Sequence, residues 1–587
     1  MMAMVEAREP SANYLSTLQL PLVQHFELMA TAPGGVAKLR ELILTLAVQG
    51  KLVPQDPKDE PASELLKKIR VEKDRLIAEG KIKRDKPPTA IAEDEKPHRL
   101  PLRWEWSNLS TIGVINPRND ASDETIASFV QMSSIPVAFS EQHFAEPRPW
   151  RDIKSGFTQF AEGDVGVAKI TPCFENGKST VFRNLSNGIG AGTTELHIVR
   201  PLGGVKPEYV LLFLKTPAFL KNGEAVMTGS AGQKRMPRAY FENTPFPLPP
   251  LAEQSRIVTR VEELMRLCDA LEAKGQLEVA QHAQLVQTLL GALTASATPE
   301  ELADNWQRVA THFDVLLDRP EAIDALEQTI LQLAVRGLLV PQDPNDEPAS
   351  ELLKKIRAEK DRLIAEGRIK PDKPLADIAD EEIPFEAPHS WVWARLGEVV
   401  SISSGITLGR KTAIPAPVSY PYLRVANVQR WHLNLSSMKE VVIDRSELAR
   451  FQLAKGDLLI TEGGDWDKVG RTTIWRNELP VCLHQNHVFK ARGMTAEWNA
   501  IWAELYLNST VARAYFASSA KQTTNLASIN MTQLKGCVFP LPPLAEQSRI
   551  VARVESLRRL CADLRQRLAA RQTTQAHLAE ALIDEVA

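Results

Sequence analysis

Two groups of polar and basic side chains have the types and spacing needed to read the edges of bases. In the first, Lys169, Thr171 and Lys178 precede the run Gly229-Ser-Ala-Gly232-Gln233-Lys234-Arg235. The second comprises Arg424, Asp465, Lys468, Arg471, His484, Gln485, Asn486, Lys521, Thr523, Thr524 and Asn525. Arg and Lys match the acceptor pair of guanine, Asn and Gln match adenine, and glycine lets backbone approach phosphate. A polar residue in such a turn can equally serve the turn itself. Bond-making chemistry fails on spacing. Asn176-Gly-Lys-Ser-Thr180 has the end of a phosphate loop, but the leading glycine it needs would fall at Pro172. His484 and His487, with Cys482 nearby, lack a second ligand pair for a metal. No Gly-x-Ser-x-Gly elbow, His-Glu-x-x-His pair or Asp/Asn-Pro-Pro-Tyr/Phe loop occurs.

The elements that must hold these groups are strands punctuated by Gly and Asn. GDVGVAKITP (163–172), STVFR (179–183) and TTELHIVRP (193–201) surround the first group. PYLRVANVQ (421–429), GDLLITEGG (456–464) and HVFKAR (487–492) surround the second. Apolar helical stretches follow at 207–223 and 496–518. The pattern predicts a compact α/β domain around each group.

Outside these domains the chain repeats. VPQDPKDEPASELLKKIRVEKDRLIAEG at 53–80 returns almost unchanged at 340–367, an offset of 287. PLRWEW (101–106) matches PHSWVW (388–393) at the same offset. PLPPLAEQSRIV recurs at 247–258 and 540–551, an offset of 293. Between these motifs the two copies diverge, so each half is a near-constant frame around a variable insert of about 140 residues. After each PLPPLAEQ an apolar seam spaced 4-3-4-3 begins. It runs Ile257, Val261, Leu264, Cys268 and Leu271 in one copy, and Ile550, Val554, Leu557, Cys561 and Leu564 in the other. Two matching seams predict an antiparallel coiled coil. Residues 253–272 would span about 30 Å, close to one turn of B-DNA at about 34 Å. The SELLKKIR helices are amphipathic, with Glu64 and Lys68 spaced as an i, i+4 pair. They suit either a bracing role or the docking of a protein partner.

The fold class expected is therefore α+β: two α/β domains separated by long helices in an antiparallel coiled coil, with an internal pseudo-twofold repeat. The division expected is a helical region at 1–100 and a first recognition domain at 101–250. A central helical region at 251–387, a second recognition domain at 388–543 and a closing helix at 544–587 complete it. The net charge of −3 gives no general basic footprint. The balance is about +1 over 101–250 and about +6 over 388–543, so a nucleic-acid surface would be local or completed by a basic partner. Five scattered cysteines, none in a CxxC, suggest neither disulfides nor zinc. No apolar stretch approaches a bilayer span, and the acidic opening MMAMVEAREPSANYL lacks signal-peptide order. A cytoplasmic setting is expected.

Taken together, the doubled PLPPLAEQSRIV, the two P-x-x-W-x-W lead-ins, ITPCFENGKST (170–180) and the run from GDLLITEGGDWDKVGR to CLHQNHVFKAR (456–492) resemble the specificity (S) subunit of Type I restriction–modification systems. The long first frame copy resembles the subgroup with an extended N-terminal region. The resemblance implies two target-recognition domains, each reading half of a bipartite double-stranded DNA site. It also implies helical regions that dock two modification (M) subunits, which bind S-adenosylmethionine and methylate adenine N6 after flipping the base. Two restriction (R) subunits would add ATP- and Mg-dependent cleavage. No cofactor or catalytic site is then expected on this chain. A coiled-coil adaptor and a stand-alone DNA-modifying enzyme are the alternatives.

Overall fold

The computed structural model describes residues 32–83, 91–230, 232–296, 298–371, 373–409, 414–464, 468–523 and 526–586. These pack into two compact units. One holds the described residues up to Val279 together with those from Arg571, and the other holds residues 280–570.

The first unit opens with frame helices α1 (Gly35–Val48) and α2 (Ala62–Ala78). α1 buries Leu39, Leu42, Ile43 and Leu46, an i, i+3, i+4, i+7 stripe. α2 buries Ala62, Leu65 and Ile69. On its solvent face Lys67 pairs with Glu64 and Lys68 with Glu60, in place of the Glu64–Lys68 pair that spacing suggested. Then come β1 (Glu105–Ser107), β2 (Gly113–Ile115), β3 (Ile126–Val130), β4 (Glu146–Pro149), β5 (Thr158–Ala161), β6 (Val165–Ala168), β7 (Ser179–Val181), β8 (Ile189–Gly192) and β9 (Leu196–Pro201). Helices α3 (Pro207–Leu214) and α4 (Pro217–Ala225), strand β10 (Phe246–Leu248) and the long helix α5 (Leu251–Ala295) complete the copy. One sheet has the order β2-β9-β6-β7 and another β4-β3-β8-β5. β6 is buried at every position, which is why it reads as continuously apolar rather than alternating.

The second unit repeats the plan with α6 (Pro320–Val335), α7 (Ala349–Ala365), β11 (Val392–Arg395), β12 (Val400–Ser403), β13 (Pro417–Leu423), β14 (Lys439–Asp444), β15 (Leu458–Thr461) and β16 (Gly463–Gly464). It continues with β17 (Thr472–Ile474), β18 (Leu483–His484), β19 (Val488–Gly493), α8 (Ala500–Leu507), α9 (Thr510–Ser519), β20 (Lys521–Thr523), β21 (Leu526–Ser528), β22 (Val538–Leu541) and α10 (Leu544–Val586). Its sheet β12-β19-β15-β17 has the connectivity of β2-β9-β6-β7. The inserts thus share a fold although little of their sequence matches.

The repeated motifs repeat because they touch one another. β1, from the W-x-W lead-in, pairs antiparallel with β10, from the PLPP exit, placing Trp106 opposite Pro247. β11 and β22 do the same, with Trp393 opposite Pro540. Behind this clasp the buried Glu253 carboxylate accepts from Trp104 Nε1 at 3.0 Å and Gln55 Nε2 at 2.6 Å. Glu546 accepts from Trp391 and Gln342 at the same two distances. Asp59 with Arg256 and Asp346 with Arg549 close at 2.6 Å. Three segments far apart in sequence, VPQDP, W-x-W and PLPPLAEQSR, meet at one latch in each copy.

The chain passes from the first unit into the second along α5 and returns along α10. Ile257, Val261, Leu264 and Cys268 are buried in one core with Leu39, Ile43, Tyr209 and Phe246, and Leu582 and Ile583 of α10 pack against that core. Leu271 is half-buried. Ile550, Val554 and Cys561 are buried with Ile323, Ile330 and Trp502, and Leu557 and Leu564 pack against them. Each seam therefore serves the core of its own copy. A 4-3 spacing marks an apolar stripe but does not say what covers it.

Candidate nucleic-acid interface

In the first unit two segments are stitched together beside the β6 sheet: the β6–β7 loop (169–178) and the stretch after α4 (226–237). Met236 N donates to Lys169 O at 2.7 Å and Thr171 N to Lys234 O at 3.0 Å. Ile170 also forms a backbone bridge with Arg235. The second unit has the same stitch displaced by 293 positions. Gly463 of β16 pairs with Ser528 of β21, and Ile529 N donates to Glu462 O at 2.9 Å. Gly177 and Gly470 both take the left-handed conformation in this loop, and a Cβ at Gly470 would lie 2.3 Å from the Phe516 ring.

Each loop is held from behind by the residue that ends the following helix. The buried Lys215 ammonium donates to Gly177 O at 3.0 Å and Val137 O at 2.7 Å, and burial pushes its pKa down to about 7. At the matching place Asn508 donates to Thr472 O at 2.8 Å and accepts from Thr472 N at 3.3 Å. Neither residue was singled out from the sequence. The signal was there, because Gly163-Asp164 and Gly456-Asp457, Gly177 and Gly470, and Arg183-Asn184 and Arg476-Asn477 all keep the 293 offset through the inserts.

Of the residues expected to read bases, Gly232, Gln233, Lys234 and Arg235 are exposed together at the stitch, with Lys169 and Thr171 half-buried beside them. Lys178 turns inward to Met132 O at 2.9 Å, so Asn176–Thr180 is no phosphate cradle. Arg424 Nη2 donates to Ser437 O at 2.7 Å. Arg471, on the second loop, donates to Gln429 Oε1 at 2.6 Å, and Lys468 lies half-buried on the same loop. Gln485 and Asn486 are half-buried and anchored through their backbone to Leu423 O and Ile406 O. Lys521 is exposed at the start of β20, beside Thr523 in the same strand. Asp465, Thr524 and Asn525 lie outside the described residues.

His484 leaves the set. It is fully buried in β18, its Nδ1 2.7 Å from Val488 O, and burial pushes its pKa down to about 4. A Gln-Asn neighbour made it read as loop, whereas β18 lies parallel to β13 inside the domain. Sequence reasoning also missed Glu195 and Glu462, and weighed His487 only as a metal ligand. Glu195 takes Arg235 Nε at 3.0 Å and Nη2 at 2.8 Å, and that guanidinium holds its carboxyl below the usual range. Glu462 stands where the first unit has Lys169 and meets His487 Nδ1 at 2.5 Å. Among the described residues no group of three or more His, Cys, Asp or Glu side chains is placed to hold a metal ion. Among them, too, no helix is long and apolar enough to cross a membrane.

Comparison with known proteins places these features in a family context. The model of the Type I restriction modification DNA specificity domain matches residues 193–281 and 388–571. The specificity subunit of the Type I restriction enzyme EcoAI of Escherichia coli is 46% identical over 561 residues, covering 94% of this chain and 93% of that protein. The EcoEI specificity subunit, also from Escherichia coli, is 44% identical over 94% and 93% of the two chains. The crystal structure of the HsdS subunit from Thermoanaerobacter tengcongensis aligns with 84% of this chain and 98% of its own, at 19% identity and a TM-score of 0.42.

Proposed function

Since the chain belongs to the family of Type I restriction–modification specificity subunits, whose members carry no catalytic site, we propose that its two inserts each read one half of a bipartite DNA site. The observation that carries this reading is the duplicated stitch. Two loops are joined by the same backbone bonds at positions 293 apart, yet they present different side chains. A constant backbone under variable side chains is what two readers of different sequences on one scaffold require.

The repeated frame carries the partners. α2 and α7 present nearly the same solvent face, with the side chains of Lys67 and Lys354 71% and 70% exposed. Two copies of one modification subunit can therefore find two equivalent seats, and through them restriction subunits join the complex. S-adenosylmethionine belongs to the modification subunits, and ATP and Mg to the restriction subunits. The complex works on cytoplasmic DNA.

The test is adenine methylation across a random-sequence duplex library, with this chain co-expressed with its modification subunit. A split motif absent without this chain is expected. Exchange of residues 101–246 for another insert should alter one half of that motif only. A change in both halves, or methylation without any motif, would overturn the reading.

A further inference from the structure

We propose that Arg235, held in place by Glu195, reads a guanine in the half-site of the first unit. The inference rests on the reading of each insert as a target-recognition domain, and adds which side chain discriminates and for which base.

Arg235 is exposed, yet its backbone is fixed. Its N donates to Thr228 O at 2.8 Å, Thr228 N donates back to its O at 3.1 Å, and Ile170 bridges it from the neighbouring loop. The next residue, Met236, is buried. The side chain, 44% exposed, is oriented as firmly. Glu195 engages Nε and Nη2 side-on, and Gln233 O takes one Nη1 hydrogen at 3.2 Å. A guanidinium has five N–H groups. With three engaged, each terminal nitrogen keeps one N–H without an acceptor among the described residues. One N–H on each terminal nitrogen thus remains to donate to N7 and O6 of guanine in the major groove.

Folding alone gives little reason for this arrangement. An ion pair at such exposure adds little to stability, whereas a donor fork immobilised before binding loses less freedom when it docks. The second unit supplies the contrast. At the place of Arg235 stands Ser528, in the same backbone pairing, and at the place of Lys169 stands Glu462 with His487 on it. The backbone is kept and the donor–acceptor pattern is replaced, which is where two readers of different half-sites must differ.

The experiment compares methylation motifs of the complete complex carrying the wild-type chain, R235Q, R235K or E195Q on the same duplex library. R235Q should lose discrimination at one guanine of one half-site by roughly tenfold to a hundredfold, with the other half unchanged. R235K, which keeps the charge but not the fork, should lose it too. E195Q should weaken it at the same base. An unchanged motif in R235Q, an R235K indistinguishable from wild type, or a uniform fall across all sequences would overturn the assignment, the last two marking a phosphate contact. If R235Q abolished methylation entirely, R235K and E195Q would decide by the same criteria. A wild-type complex with no split motif would instead sink the underlying functional reading.

Discussion

Reversing the charge at Arg40 should loosen the first unit, and reversing Glu272 as well should restore it. Arg40 on α1 reaches Asp269 and Glu272 on α5, each at 2.7 Å. In the second unit the cation lies on the long helix: Arg565 on α10 reaches Asp324 and Glu327 on α6, at 2.5 and 2.7 Å. Under the repeat offsets Arg40 corresponds to Glu327 and Glu272 to Arg565, so the two copies hold the same contact with its charges exchanged. The Arg40, Asp269 and Glu272 side chains are 31%, 44% and 49% exposed, so each attraction is worth about 0.5 kcal/mol. Arg40→Glu removes two such attractions and sets three carboxylates together, at about another 0.5–1 kcal/mol. The sum is roughly 1.5–2 kcal/mol, or about 2–4 °C in Tm for a unit of this size. Glu272→Arg alone should cost about 1 kcal/mol, while the double reversal should lie within about 0.5 kcal/mol of wild type. Calorimetric unfolding at low salt and at about 1 M NaCl checks this, since high salt should shrink every difference. Additive costs in the double variant, or an Arg40→Ala as damaging as Arg40→Glu, would refute the electrostatic account.

Two further outcomes are expected. Glu253→Gln keeps one acceptor oxygen for two donors and turns an amide NH2 toward the other, so urea unfolding should show a loss of about 1–3 kcal/mol. Glu546→Gln should match it, and a loss below about 0.5 kcal/mol would remove the latch from the stability argument. Acidification should destabilise both units through His197 and His484, each brought down to about 4 by burial. Their folded pKa lies below the free value of about 6.5, so their contribution is complete above that pH and is lost as pH falls through about 4, up to about 3 kcal/mol each. Raised carboxylates such as Asp164 and Glu504 act in the opposite sense, so the histidine share is read as the difference between wild type and His484→Gln from pH 7 to 4. No difference in slope would place that ring outside the acid response.

The frame was legible in the sequence because its contacts are made by identical residues twice. VPQDP, W-x-W and PLPPLAEQSR recur together, and the latch shows why none could drift alone. The seams were legible as stripes, but what covers a stripe is a tertiary fact, and each is covered partly by its own domain. The stitch was half legible. Lys169 and Arg235 stand out as cations among glycines, whereas Glu195 sits at the start of an apolar strand and gains its meaning only once β9 lies beside β6. Lys178 and Arg424 each donate to a backbone carbonyl, which composition hides, because a long cation near a turn can point back to the main chain.

The clasp explains how one scaffold tolerates two inserts of unrelated sequence. β1 with β10, and β11 with β22, bring the ends of each insert together. The latch glutamates then tie that closure to the long helices. Inside the clasp the demands on sequence reduce to a few buried strands, a positive-φ glycine in the loop and one side chain, Lys215 or Asn508, to hold the loop from behind. At the rim of the stitch the side chain can change, and Ser528 stands in the place of Arg235 with the backbone pairing kept. The repeated residues close each copy, so an exchanged insert should fold on this frame provided that its ends pair and its loop finds a brace.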